Sequence, residues 1–287
     1  MEVINALSID LEDWYHPELV RGSVVQCPVS QIEEATRPIL DLLDFSGVKA
    51  TFFVLGEVAE RNPGLIESIF EKGHEIGSHG FSHKPLWKLD ESLLREEIEH
   101  FQSVIEKILG KVRIKGFRAP TFSLDNRTKW ALKVLLDYGY QYDSSICPVK
   151  LNPLYGVDGA PVQPYRISLE DVRKEDLHSP LLEFPLPLLT IGRLKIPISG
   201  GFYLRVFPTP FLHWGLKRIN RKGRFFLYLH PWESYGKTPR LNLPLYNYMI
   251  TYFGNHSALV KLKYLLKQFR FTRIDGVLGL REKNDEI

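Results

Sequence analysis

Cysteine is scarce in this chain, with two residues among 287, Cys27 and Cys147. Two cysteines cannot build a disulfide framework and these lack the paired spacing of a metal site, so both read as small core or surface residues. Long apolar runs are missing as well. No stretch approaches 18 uninterrupted apolar residues, and the opening MEVINALSID lacks a basic start, an apolar middle and a small-residue cleavage site. The expectation is a protein with no transmembrane segment, unexported and cytoplasmic. Charge of one sign is not in excess: 37 Lys and Arg face 34 Asp and Glu, a net +3, too balanced for a nucleic-acid binder that relies on a basic face. Internal repeats, low-complexity tracts and linkers are absent, and with 44% hydrophobic and 25% charged residues the composition excludes disorder, collagen and coiled coil.

What is present is alternation. Short apolar runs at 5–10, 49–56, 75–80, 114–120, 140–144, 181–185 and 224–230 read as strands. Between the earlier ones lie segments with apolar residues at helical spacing. Ser30 is the expected N-cap of the first long helix, Gly47 its stop, and Asp90 to Gly110 bounds the longest. This is the pattern of strand–helix units around a parallel sheet. Residues 147–180 are rich in Pro, Gly and charge and read as an irregular insertion. Thr190 to Tyr203, with Gly192, Pro197 and Gly200–Gly201, reads as a hairpin, followed by a helix over 207–219. A C-terminal extension follows about residue 232, and the expectation is one domain over 1–287.

Ionisable residues collect at the strand ends: Asp10, Glu12 and Asp13; His79 and His83; Arg118; Asp143; and His230. One such residue alone is usually a cap or turn residue. Strand ends in a parallel barrel converge on one mouth, so together they describe a site. His79 and His83 stand four apart, where a helical turn puts both imidazoles on one side. That is a metal-ligand spacing, completed by a carboxylate from another strand. His74 reads as buried support.

The ordered pieces SIDLED (8–13), TFFVLG (51–56), GHEIGSH (73–79) through His83, RAP (118–120), YDS (142–144) and Leu229–His230 resemble the polysaccharide deacetylase family of metal-dependent carbohydrate esterases, which includes chitooligosaccharide deacetylases. The stretches EFP (183–185), GGFYLR (200–205) and HPWE (230–233) are similar to its exopolysaccharide-locus subgroup. The resemblance implies an α/β fold, a distorted (β/α) barrel of about seven strands. It also implies hydrolytic removal of acetyl groups from N-acetylhexosamine units of a polysaccharide, oligosaccharide or lipid-linked glycan, with one divalent cation as cofactor. Zinc is the favoured ion, cobalt and nickel the alternatives.

The family pattern assigns roles by position. It makes Asp10 the general base, pairs Arg118 with it, and makes His230 the acid that protonates the departing amine, with Asp143 fixing the His230 tautomer. The Thr121 N–H falls where the oxyanion is held. The metal carboxylate is open: strand alternation puts Glu12 on the face of Asp10, whereas a chain leaving the strand after Leu11 presents Asp13, the shorter and stiffer ligand. Asp13 is preferred, with His79 and His83. Tyr203, Trp232 and Phe122 are candidates for sugar stacking, and ordinary packing explains each equally well.

Overall fold

The computed structural model describes residues 3–24, 28–150 and 155–280. Cys27 lies outside them, as do residues 151–154 of the expected insertion. Eleven strands are seen among the described residues: β1 Ile4–Leu11, β2 Thr51–Val54, β3 Glu75–Ser78, β4 Gly116–Phe117, β5 Tyr142–Asp143, β6 Tyr165–Arg166, β7 Leu182–Glu183, β8 Leu188–Ile191, β9 Leu194–Pro197, β10 Phe226–Leu229 and β11 Arg270–Thr272.

The main sheet runs β10-β1-β2-β3-β4-β5-β7-β6, with β11 also on β1. The first seven of that order pair in parallel throughout, and β6 closes the edge antiparallel. This is the expected barrel of about seven strands, curled but not closed by strand pairing. Between β7 and β10 side chains take over. Phe184 meets Phe226 edge-on with centroids 5.3 Å apart, and Ser199 Oγ donates to the Phe226 carbonyl. Strands from both ends of the chain thus share one sheet, because β1 lies between β10 and β2.

The burial of β1 follows from that position. From Asn5 to Leu11 every residue is buried, since a parallel strand covered on both faces has no solvent side. The helix over Ile32–Ser46 ends at Gly47 in the left-handed conformation, as expected of glycine. Its N-cap is Gln31 rather than Ser30, although Ser30 Oγ does accept from the Ile32 N–H at 3.3 Å. Asp90 caps Glu91–Leu109 by accepting from the Leu93 N–H. The 190–203 hairpin is real but shorter: β8 and β9 pair antiparallel, and Gly201–Val206 is helical. Four helices escaped the sequence reading: Glu18–Arg21, Gly56–Arg61, Leu245–Tyr252 and Ile274–Leu278. Three of them are six residues or shorter, and Leu245–Tyr252 lies in a segment with weak amphipathic period. No described helix is long and apolar enough to cross a membrane.

The strand amino ends are plugged. Thr51 Oγ1 and Tyr142 Oη both donate to Glu75, and the Ile274 N–H donates to Thr51 Oγ1. The carboxyl ends open onto the ionisable residues.

Candidate active site

β1 delivers Asp10 and carries the chain to Glu12. The Glu12 N–H donates to the Asp10 carbonyl at 2.9 Å, a tight turn that leaves both side chains on the mouth. Asp13 falls beyond it and faces elsewhere. Its carboxylate accepts from the Trp14 N–H at 2.9 Å and the Gln31 N–H at 3.0 Å. Its own N–H donates to His16 Nδ1, whose ring reaches Glu57 at 2.6 Å. Asp13 is therefore a buried loop brace, and the expectation that it ligates the metal is corrected: Glu12 is the carboxylate that meets His79 and His83.

The two histidines do not sit on a helix as their spacing suggested. Residues 79–83 form a loop with Gly80 and His83 in the left-handed region, φ 76° and 55°. Such a conformation is uncommon for a residue with a side chain and needs external support. Glu97 supplies part of it, accepting from the N–H groups of Phe81 and Ser82 and from Ser82 Oγ. Arg21 supplies the rest through the carbonyls of Ser82 and His83.

Glu12, His79 and His83 then place one carboxylate oxygen and two imidazole nitrogens within 4.8 Å of one another, all buried. His79 Nδ1 lies 2.7 Å from the Arg118 carbonyl, which fixes its tautomer with the proton on Nδ1 and turns Nε2 to the site. Burial pushes the His79 imidazole down to about 4, so it is the neutral form that metals bind. Burial opposes ionisation of Glu12, but His83, His230 and His79 outweigh it and hold the carboxyl below its usual range. Glu12 Oε2 is 2.6 Å from His83 Nε2, yet it is buried with no hydrogen-bond partner. Two lone-pair donors converging without a hydrogen bond, with a third beside them, fit a divalent cation. His74 is elsewhere, accepting from the Ala50 N–H, as expected of support.

Arg118 is 0% exposed and lies inside the barrel. It donates to Asp10 Oδ1 at 2.6 Å, to Ser8 Oγ, and to the carbonyl and hydroxyl of Ser144. The rings of Phe53 and Phe226 flank the guanidinium at 4.2 and 4.7 Å. The expected pairing of Arg118 with Asp10 is present in full.

His230 follows β10. Its Nε2 stands 3.4 Å from Glu12 Oε1 and 3.9 Å from Asp10 Oδ2. Its Nδ1 is 2.8 Å from Glu233 Oε2, not near Asp143 as expected. Asp143 is turned into the wall, where it accepts from the N–H and Oγ of Ser145 and shares its burial with Glu183. The tautomer-fixing role therefore falls to Glu233, which sequence reasoning missed. The i, i+3 spacing of His230 and Glu233 on a short turn was the available signal. Arg205 donates twice to Glu233 Oε1, and Gly201 leaves room: a Cβ there would stand 1.4 Å from Glu233 Oε2. Burial lowers the His230 imidazole, but Glu12, Glu233 and Asp10 override it and push it up to about 9.

These groups open onto a cavity of about 330 Å³. Thr121, Phe122, Tyr203 and Trp232 all line it. Thr121 and Phe122 both have positive φ, 60° and 48°, and strain of this kind gathers at functional sites. The Trp232 ring stacks on His230 with centroids 5.3 Å apart and donates from Nε1 to Glu12.

Residues 26–142 match the family model described as polysaccharide deacetylase. Over those residues, about two fifths of the chain, the sequence is that of a polysaccharide deacetylase segment. Residues 144–279 match a second model, described as a domain of unknown function, DUF3473. The junction falls at the end of β5, so the sheet runs through both segments, and His230, Glu233 and Arg205 come from the second. A peptidoglycan-N-acetylglucosamine deacetylase of Bacillus cereus is 40% identical over 99 residues, 34% of this chain and 36% of that protein. A Listeria monocytogenes protein of the same description is 49% identical over 53 residues, 18% of this chain and 11% of its own length. The chain thus covers about a third or less of these relatives. Among solved structures, one from Mycobacterium smegmatis described as a polysaccharide deacetylase superposes with TM-score 0.60 at 21% identity, covering 94% of this chain and 86% of that one. PuuE allantoinase gives 0.61 at 17%, covering 97% and 89%. These two likenesses concern the fold.

Proposed function

We propose that this protein removes acetyl groups hydrolytically from N-acetylhexosamine units of a glycan, with one divalent cation, zinc by preference, held by Glu12, His79 and His83. The observation that carries the reading is that Asp10 and His230 meet, 3.9 Å apart, beside those three residues, each held from behind by its own partner, Arg118 and Glu233. The exopolysaccharide-type pieces at 183–185, 200–205 and 230–233 support a polymeric or lipid-linked substrate.

An amide carbonyl is a poor electrophile and water a poor nucleophile. A divalent cation supplies carbonyl polarisation and lowers the pKa of water to about 7. Asp10, oriented by Arg118, takes the proton of the attacking water. His230 faces Asp10 with its Nδ1 on Glu233, so its Nε2 gives a proton to the departing amine. Thr121, on its strained turn at the cavity wall, offers its backbone N–H to the oxyanion, where a positioned donor is worth about 10²–10³ in rate. The ring of Trp232 or Tyr203 offers a flat face to the sugar.

Acetate release from a panel of N-acetylated oligosaccharides, with and without a chelator, tests reaction, substrate and cation together. Release that stops on chelation and returns with zinc is the expected result. Turnover untouched by thorough chelation would remove the metal assignment, and no release from any N-acetylated sugar would remove the reaction.

A further inference from the structure

The balanced net charge conceals a segregation. From residue 184 to 274 the chain holds 15 Lys and Arg and a single acid, Glu233. That acid is buried on Arg205 and His230. Eleven of the 15 basic residues are exposed, so this third of the chain carries a concentrated positive field while the remainder is acidic.

The same segment carries the apolar surface. Of the fourteen large hydrophobic residues exposed among the described residues, nine lie between 184 and 274. Three form one stripe on the helix Leu245–Tyr252 and its cap: Leu245, Met249 and Phe253, at i, i+4 and i+8, are 77, 42 and 48% exposed. The adjoining side of that helix meets the catalytic cavity: Ile250 lines it, as does Tyr246, itself 66% exposed at its rim, and Asn247 donates to the Leu19 carbonyl. Lys237 and Arg240, both exposed, lead into the helix, and Arg240 is hydrogen-bonded to Tyr248 on it.

We infer that the stripe Leu245, Met249 and Phe253, with Lys237 and Arg240, is a docking surface for an anionic lipid bilayer. A short apolar ridge beside basic side chains gains from both burial in the headgroup region and attraction to anionic lipid, and neither alone gives firm attachment. An acidic polysaccharide would use the basic residues but leaves bare Leu, Met and Phe unexplained. Because the adjoining side of this helix walls the cavity, docking sets the cavity mouth beside the bilayer. On the deacetylase reading, that favours a glycan still tethered to lipid. The docking itself does not depend on hydrolysis.

The full chain is sedimented with vesicles of phosphatidylcholine alone and of phosphatidylcholine with phosphatidylglycerol, at low and raised salt. It should sediment with the anionic vesicles at low salt, weakly with neutral ones, and less as salt rises. Leu245→Glu/Met249→Glu/Phe253→Glu and, separately, Lys237→Glu/Arg240→Glu should each lower partition on the order of tenfold. The serine triple at 245, 249 and 253 guards against misfolding, with circular dichroism as the check. Wild-type protein that stays in the supernatant with anionic vesicles, or triple variants that sediment like wild type, would overturn the assignment. So would capture by a soluble acidic polysaccharide without any vesicle binding. No arm requires turnover, so failure here and failure of the deacetylase reading are separately visible.

Discussion

Replacing Arg118 separates what it does for the fold from what it does for the reaction. In Arg118→Met the side chain keeps an apolar stem between Phe53 and Phe226 but loses four hydrogen bonds, and it leaves Asp10, 2% exposed, without its 2.6 Å partner. Breaking a buried ion pair from one side costs about 3–5 kcal/mol. At roughly 2–4 °C per kcal/mol for chains of this general size, Tm should fall by about 6–20 °C. Arg118→Lys should recover little, because an ammonium cannot reproduce the planar fork that spans Asp10, Ser8 and Ser144. The double variant Asp10→Asn/Arg118→Met removes both charges and should regain part of the lost stability while staying inactive. Thermal unfolding followed by circular dichroism, with acetate release measured on the same samples, reads both effects. Strict additivity of the two single changes in stability, or near-normal turnover in Arg118→Met, would refute the coupling argued from the geometry.

Glu12→Gln should lose bound metal whereas Asp13→Asn keeps it, by elemental analysis of purified protein; His79→Ala/His83→Ala should carry none. Asp13→Asn should instead cost about 1–3 kcal/mol of stability, since two backbone N–H groups lose a charged acceptor. Glu233→Gln should keep metal but lower turnover of an N-acetyl sugar far more than of an activated acetyl ester, whose leaving group needs no proton. Asp143→Asn should not share that selectivity, and Gly201→Ala, which drives a methyl into Glu233, should. Burial raises both Asp143 and Glu183; the neighbouring Asp143 charge pushes Glu183 up further, whereas the hydrogen bond with Glu183 holds Asp143 partly down. Folded values above unfolded ones stabilise at acid pH and lose that contribution as pH rises through the folded values. Glu183→Gln should therefore raise Tm at pH 8 more than at pH 5, and an equal shift at both would reject a raised Glu183 carboxyl.

The fold was legible because its signals are local. Seven apolar runs, the earlier ones separated by helical periods, specify strand–helix units around a parallel sheet, the family resemblance adds the barrel, and Gly47 stops its helix by taking the left-handed conformation. The metal histidines were legible for a partly wrong reason. Their spacing suggested a helical face, whereas a strained loop braced by Glu97 and Arg21 brings them together, and nothing in 79–83 alone announces that brace. Asp10, Arg118 and His230 could be placed because each ends a strand. The helix Leu245–Tyr252 could not, since its inner residues face a cavity of mixed polarity and its outer ones are apolar, which blurs the usual contrast between faces.

The two misassigned carboxylates, Asp13 and Asp143, share a cause. Asp143 follows from family position and Asp13 from being the shorter, stiffer ligand, and neither ground weighs what the backbone donors beside it demand. Asp13 precedes a loop with N–H groups to satisfy, and Asp143 precedes Ser144–Ser145, whose N–H and hydroxyl claim it. A buried backbone donor without a partner costs about as much as a lost hydrogen bond, so a short acid beside such donors is drawn to them. Glu12 and Glu233 are one methylene longer and reach past their own backbone to the imidazoles of His83 and His230. In this mouth the longer acids meet histidine while two of the three aspartates brace the chain. The third, Asp10, escapes because Arg118 rises through the barrel to meet it.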